Sequence, residues 1–145
     1  MCASARDIVA YGNSDIASKM QIKVGNFEMD DGKLITKAKL FAKDIVFLTR
    51  DIRENRHEYV MSNQLLRSST SIGANIFESK YAQSKMDFIS KLEIALKESY
   101  ESEYWLDLLF ETDYLEESTY RVLKNNCGAI RKMLISSCTT AKNNN

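Results

Sequence analysis

Five carboxylates crowd one fifteen-residue stretch: Glu93, Glu98, Glu101, Glu103 and Asp107. Acidic side chains at such spacing can serve as general acid and base, or hold two metal ions inside a helical bundle. The metal chemistry also requires Glu-x-x-His motifs on partner helices, and the chain has a single histidine, His57. His57 falls in an expected connection, with no neighbour that would tune it for proton transfer. The sequence contains no glycine-rich phosphate loop, no CxxC pair and no nucleophile motif. No catalytic, cofactor-binding or metal-ligating residue is assigned. The chain is read as a non-enzyme whose acidic stretch faces solvent or another subunit.

The cations suggest a different chemistry. Arg50, Arg53 and Arg56 recur at three-residue steps, and Arg121, Lys124, Arg131 and Lys132 form a second group. Each could neutralise a phosphate of RNA or DNA and release a counterion. The total charge is zero, from 20 basic and 20 acidic residues, which argues against strong binding by one copy. The distribution is uneven, however. Residues 33–57 carry seven bases against three acids, 84–115 three against eight, and 116–145 five against two. A homo-oligomer would repeat any basic strip and concentrate it on one surface. The competing expectation is a pure protein-interaction module, in which the acidic third helix meets a basic helix of the next subunit. Tyr100, Tyr104, Trp105, Leu108 and Phe110 lie partly off the core seam and would anchor such an interface.

A third polar set runs through Gln64, Arg67, Ser71, Asn75 and Glu78, at three- and four-residue steps that begin just before the small-residue segment RSSTSIGANIFES and continue through it. Folding this helix back on the next one brings Arg67 to Glu98 or Glu101. The expected result is a partly buried ion pair within a structural network of Arg67, Ser71, Asn75, Glu98 and Glu101. Its weightier role is to fix helix register, since desolvation offsets most of the attraction; the lesser alternative is a ligand site formed by Arg67, Asn75 and Glu78.

The elements that must position these groups follow from apolar spacing. Leu34, Ala38, Phe41, Ile45, Leu48 and Ile52 alternate steps of four and three, the seam of an amphipathic helix over about 33–55. A second helix is expected from about Ser62, taken as its N-cap, to Tyr81, with Leu65, Ser69, Ile72 and Ile76 inward. Ser84 and Asp87 resemble a capping box opening a third helix over about 85–112. Its seam is Phe88, Leu92, Ala95, Ser99, Ser102, Leu106 and Leu109, large at the ends and small at the waist. A fourth helix over about 116–137 turns Val122, Leu123, Cys127, Ile130 and Leu134 inward. With 44% hydrophobic residues, no proline and short loops, the chain predicts an all-α, antiparallel up-down-up-down four-helix bundle over residues 33–138. Residues 1–32 are expected to form a poorly ordered N-terminal arm, and 139–145 a frayed polar tail.

Cys2, Cys127 and Cys138 are odd in number; on one helix the last two would stand roughly 16 Å apart, too far for a disulfide. No stretch approaches the ~20 apolar residues of a membrane span, and the first residues lack a signal peptide's apolar core. The expectation is a cytoplasmic protein that meets no membrane.

The stretch QLLRSSTSIGANIFES (64–79), followed by DFISKLEIALKESYESEYWLDLL (87–109), resembles the four helix bundle protein family. This family comprises bacterial 23S rRNA-intervening-sequence proteins and is related to the accessory variability protein of diversity-generating retroelements. Its Arg-Ser-x-x-Ser-Ile-x-x-Asn core falls on Arg67, Ser68, Ser71, Ile72 and Asn75. The Ala-Leu-Lys-Glu-x-x-Glu-x-x-Tyr-Trp-Leu pattern falls on Ala95 to Glu98, Glu101 and Tyr104 to Leu106. Phe77-Glu78-Ser79 departs from the Ala-Glu-Gly of many relatives. The resemblance implies a helical bundle assembled as a homopentamer and without known enzymatic activity. For a retroelement-associated member it further implies a reverse transcriptase and nucleic acid as partners.

Overall fold

The computed structural model describes residues 31–144. Four α-helices follow one another: α1 (Asp31–Arg56), α2 (Val60–Ser79), α3 (Lys85–Glu111) and α4 (Glu117–Asn143). Most of the expected N-terminal arm therefore lies outside the described residues, and its last two positions belong to α1. The Gly32 carbonyl already accepts the Thr36 hydroxyl at 2.7 Å, one turn into that helix.

The predicted seam of α1 is buried throughout, from Leu34 to Ile52. It meets Leu65, Ile72 and Ile76 of α2, Leu92, Leu106 and Leu109 of α3, and Ile130 and Leu134 of α4 in one core. Phe88 and Val122, expected inside, are only half-buried. Each helix packs on its chain neighbours, and α1 also closes against α4. Cross-helix pairs give the directions. Glu78 meets Lys91 while Ser68 meets Ser102, and Lys124 meets Asp107 while Cys127 meets Ser99. Numbers rise on one helix as they fall on the next, so these neighbours are antiparallel.

The start of α2 corrects the sequence reading. Ser62 is not the N-cap; it is fully buried two residues inside the helix, its hydroxyl bonded to the Glu58 carbonyl at 2.8 Å. The first turn is held by Glu58, whose carboxylate accepts the backbone N–H groups of Val60, Met61 and Ser62 at 2.8–2.9 Å. Partial burial alone would raise the Glu58 pKa, but those N–H groups outweigh it and hold the carboxyl below its ordinary value. At α3, Ser84 accepts from the Asp87 N–H at 3.1 Å as predicted, while the Asp87 carboxylate reaches back one residue further, to the Gln83 N–H.

The end of α4 is a second correction. The helix runs on through the supposed tail to Asn143. Tertiary contacts hold this polar stretch: Cys138 is buried, and Lys142 pairs with Glu93 of α3 at 2.5 Å. At the opposite pole, α3 ends in a Schellman turn. The Tyr114 N–H bonds to the Leu109 carbonyl at 2.9 Å and the Asp113 N–H to the Phe110 carbonyl at 3.1 Å. Asp113 takes φ 65° there, a left-handed position usually given to glycine, and His57 takes φ 54° after α1.

Candidate functional site

The polar stripe on α2 resolves into separate pieces. Between α2 and α3 the smallest side chains meet: Ser68, Ser69, Ser99 and Ser102 are fully buried. The Ser102 hydroxyl bonds to the Ser68 hydroxyl at 2.9 Å. Beside this contact Arg67 pairs with Glu101 and, at 3.4 Å, with Glu98. Trp105 donates its indole N–H to the same Glu101 at 3.2 Å. The expected ion pair is therefore made by both carboxylates, but at the rim, since half of the Arg67 side chain is exposed. The hydrogen bond from Arg67 is the main reason the Glu101 carboxyl is held below its ordinary value. Ser71 and Asn75 do not join this cluster. The Asn75 amide turns back to the Ser71 carbonyl at 2.8 Å and its hydroxyl at 3.1 Å. Glu78 instead meets Lys91.

The α3 acids are largely engaged within the chain. Lys124 reaches Asp107 and the Tyr120 hydroxyl, each at 2.9 Å, and Tyr120 donates to Asp107 at 2.8 Å. Arg131 pairs with Glu103 and lies over the Tyr100 ring, 4.4 Å from its centroid. Arg121 pairs with Glu117 one turn back on α4. Of the four α4 candidates, Lys132 alone is exposed with no ion pair or hydrogen bond among the described residues. Spacing along one helix could not reveal these partners, which lie across a seam.

On α1 the three arginines fan apart, because a three-residue step falls about 60° short of a full turn. Arg53 turns to Asn63 of α2. Arg56 turns the other way, donating to the Asp113 carbonyl at 3.2 Å and lying over the Tyr114 ring. Arg50 stands outward, on the far side of Arg53 from Arg56, 5.7 Å from the centroid of Phe47. Arg50 and Arg53 border a groove of about 260 Å³ between α1 and α2, floored by Val46 and Leu66 with Glu54 at its edge. No carboxylate pairs with either arginine among the described residues, and the buried Arg53 Nε has no partner. Lys39 and Lys43 continue the exposed cations along the same helix.

The aromatic candidates divide. Tyr100 and Tyr104 are 53% and 58% exposed. Trp105 and Phe110 pack partly against the core, and Phe110 stacks on Tyr120 with centroids 4.1 Å apart. Leu108 is half-buried.

The groups that could support catalysis do not converge. Cys127 is buried, bonded to the Ser99 carbonyl, and burial with the nearby Asp107 charge pushes its thiol up to about 12. Cys127 and Cys138 are both free. His57 is exposed, and its Nδ1 lies 3.4 Å from the Tyr59 hydroxyl. Among the described residues no three His, Cys, Asp or Glu side chains are grouped to hold a metal ion. No described helix is long and apolar enough to cross a membrane.

A family model described as 23S rRNA-intervening sequence protein matches residues 30–136. A crystal structure of a protein of unknown function from the S23 ribosomal protein family of Bacteroides thetaiotaomicron is 48% identical, with a TM-score of 0.74. The match covers 75% of this chain and 97% of that one. No curated protein matches. The serine-lined seam, the Arg67 clasp and the four-helix order thus sit inside the matched region, and the chain belongs to the 23S rRNA-intervening sequence protein family.

Proposed function

We propose that this protein is a non-enzymatic, homo-oligomeric adaptor whose first helix offers a weak electrostatic surface to RNA or DNA. The observation that carries this reading is the unequal fate of the two basic helices. The α4 cations Lys124 and Arg131 are matched by Asp107 and Glu103. On α1, Lys39, Lys43 and Arg50 are exposed without a carboxylate at salt-bridge distance among the described residues. An unmatched cation can exchange its counterions for a phosphate; a matched one must first give up its partner.

The test is fluorescence anisotropy of a labelled RNA and a labelled DNA against salt. Affinity should fall as salt rises, by roughly 0.9 log units per log unit of salt for each duplex-DNA phosphate contact. Lys43→Glu with Arg50→Glu should abolish binding, whereas Lys124→Gln should leave it unchanged. Absence of binding at low salt would leave the protein-interaction reading, supported by the exposed Tyr100 and Tyr104. Light scattering during size exclusion tests assembly, for which a pentamer is the expected state; a monomer at micromolar concentration would overturn it. A reverse transcriptase partner is tested by co-purification with one encoded beside this gene, and a cytoplasmic location by fractionation.

A further inference from the structure

Two grooves on the bundle differ in their chemistry. At the pole where α1 begins and α4 ends, a groove of about 180 Å³ has apolar walls from Leu34, Ile76, Phe88, Leu92 and Ala141, with Lys80 at its edge. The groove between α1 and α2, about 260 Å³, instead joins a floor of the half-buried Val46 and Leu66 to two guanidinium groups, Arg50 and Arg53. Arg53 donates to Asn63 from a terminal nitrogen, while its Nε is buried without a partner. A buried N–H with no acceptor keeps its full desolvation cost, which an incoming oxygen or nitrogen would relieve. Beside the groove, Arg50 lies over the exposed ring of Phe47, and Lys43 is exposed one turn before that ring.

We propose that the α1–α2 groove seats one unpaired base of a single-stranded RNA or DNA, with the flanking phosphates on Arg50 and Lys43; this rests on the electrostatic reading of α1 given above. The floor argues for a base, since Val46 and Leu66 offer nothing to a phosphate, whereas a base has two flat apolar faces and a hydrogen-bonding edge. Glu54 at the edge sets the orientation. Its carboxylate repels a phosphate from inside the groove and accepts an N–H from a base, so the phosphate stays outside with Arg50 and the base goes in. The Arg53 Nε would then donate to a ring carbonyl; thymine and uracil carry both a ring carbonyl and a ring N–H. Size agrees, because about 260 Å³ falls below the roughly 300–1,000 Å³ that enclose a whole drug-sized molecule and suits one ring with its chain running on outside. The exposed Phe47 ring offers a neighbouring base a second stacking surface. In a duplex the base faces are already stacked, so it could give this groove only its backbone.

Fluorescence anisotropy of the full chain at low salt tests the proposal with short labelled probes: oligo-dT, oligo-U, an abasic DNA strand of the same length, and a duplex of that length. Oligo-dT should bind about tenfold more tightly than the abasic strand, the order expected for one stacked base, and also more tightly than the duplex. Oligo-U ahead of oligo-dT would assign the strand as RNA and the reverse as DNA, either order supporting the seat if the abasic strand trails both. Arg53→Lys keeps the charge but loses the planar fork, and should shrink the ratio of oligo-dT to abasic affinity to about twofold, whatever it does to each affinity alone. Val46→Phe, which fills the floor, should shrink the same ratio. Equal affinity of the unmodified protein for oligo-dT and the abasic strand would overturn the seat while leaving the electrostatic surface standing. A ratio unchanged in both variants would overturn the assignment to this groove, and no binding of any probe would overturn both readings.

Discussion

The two seams flanking α3 solve the problem of polar contact in opposite ways. Toward α2 the contact is made by serines, so close that hydroxyls bond across it, and the charged residues lie outside at the rim. Toward α4 the contact is made by long side chains: Lys124 and Arg131 reach over to Asp107 and Glu103 and are covered by the rings of Tyr120 and Tyr100. The first seam depends on volume, the second on matched charge. They should therefore fail under different perturbations, although both carry ion pairs.

The sharpest way to break the contrast is to enlarge the α2–α3 contact. Ser68→Leu should destabilise the fold by about 3 kcal/mol in urea or thermal unfolding, because a fully buried serine facing another helix leaves no room for added methylenes. A loss below about 1 kcal/mol would mean the helices do not need their small residues.

Next in size is Arg131→Met, which leaves Glu103 in a partly covered site with only the longer 3.8 Å pair to Lys124 and should cost about 1–2 kcal/mol. Adding Glu103→Gln should recover part of the loss; a double-mutant cycle with no coupling would remove charge as the organising element of that seam.

Gly128→Ala tests whether α4 also relies on small residues. A Cβ there meets nothing within 4 Å, and the helical backbone needs no glycine, so the change should stabilise the fold by about 0.5–1 kcal/mol. Destabilisation would show a hidden close approach.

The smallest effect is expected at Arg67→Ala, at most about 0.5 kcal/mol and less in high salt, because the guanidinium is half exposed. Its pH signature follows from Glu101. The folded-state carboxyl is held below the usual 4.5, so its contribution is present above that value and declines as pH falls through the lower folded one. Arg67→Ala should flatten the acid limb of the stability curve slightly; an unchanged limb would separate Glu101 from Arg67.

How much of this was legible in the sequence depended on whether the signal was local. The α1 seam and the α3 waist could be read because every residue of the pattern lies on one helix, where a fixed period converts spacing into direction. Arg67 was also placed against Glu98 and Glu101, because a short α2–α3 connection fixes the register of both helices. Glu58 was missed: a glutamate three residues after Asn55 looks like connection, and its role emerges only when its carboxylate gathers three backbone N–H groups. The last turns of α4 were missed because their polar residues form a helix through contacts with α3 and the groove at that pole. The pairing of α4 cations with α3 acids was invisible for the same reason, and it changes where an unmatched basic surface lies.

Leu34, near the start of α1, and Asn144, just past the end of α4, border the same groove. Both ends of the described chain therefore leave the bundle at one pole, while the His57 and Asp113 bends occupy the other. A fluorophore or surface linkage placed at Lys33 or Asn143 would therefore orient the bundle alike, leaving the bend-bearing pole unobstructed for whatever is offered to it. In a variant without residues 1–30, joining the start of α1 to the end of α4 with a short linker and reopening the chain at a bend would yield a circular permutant with the same helix neighbours.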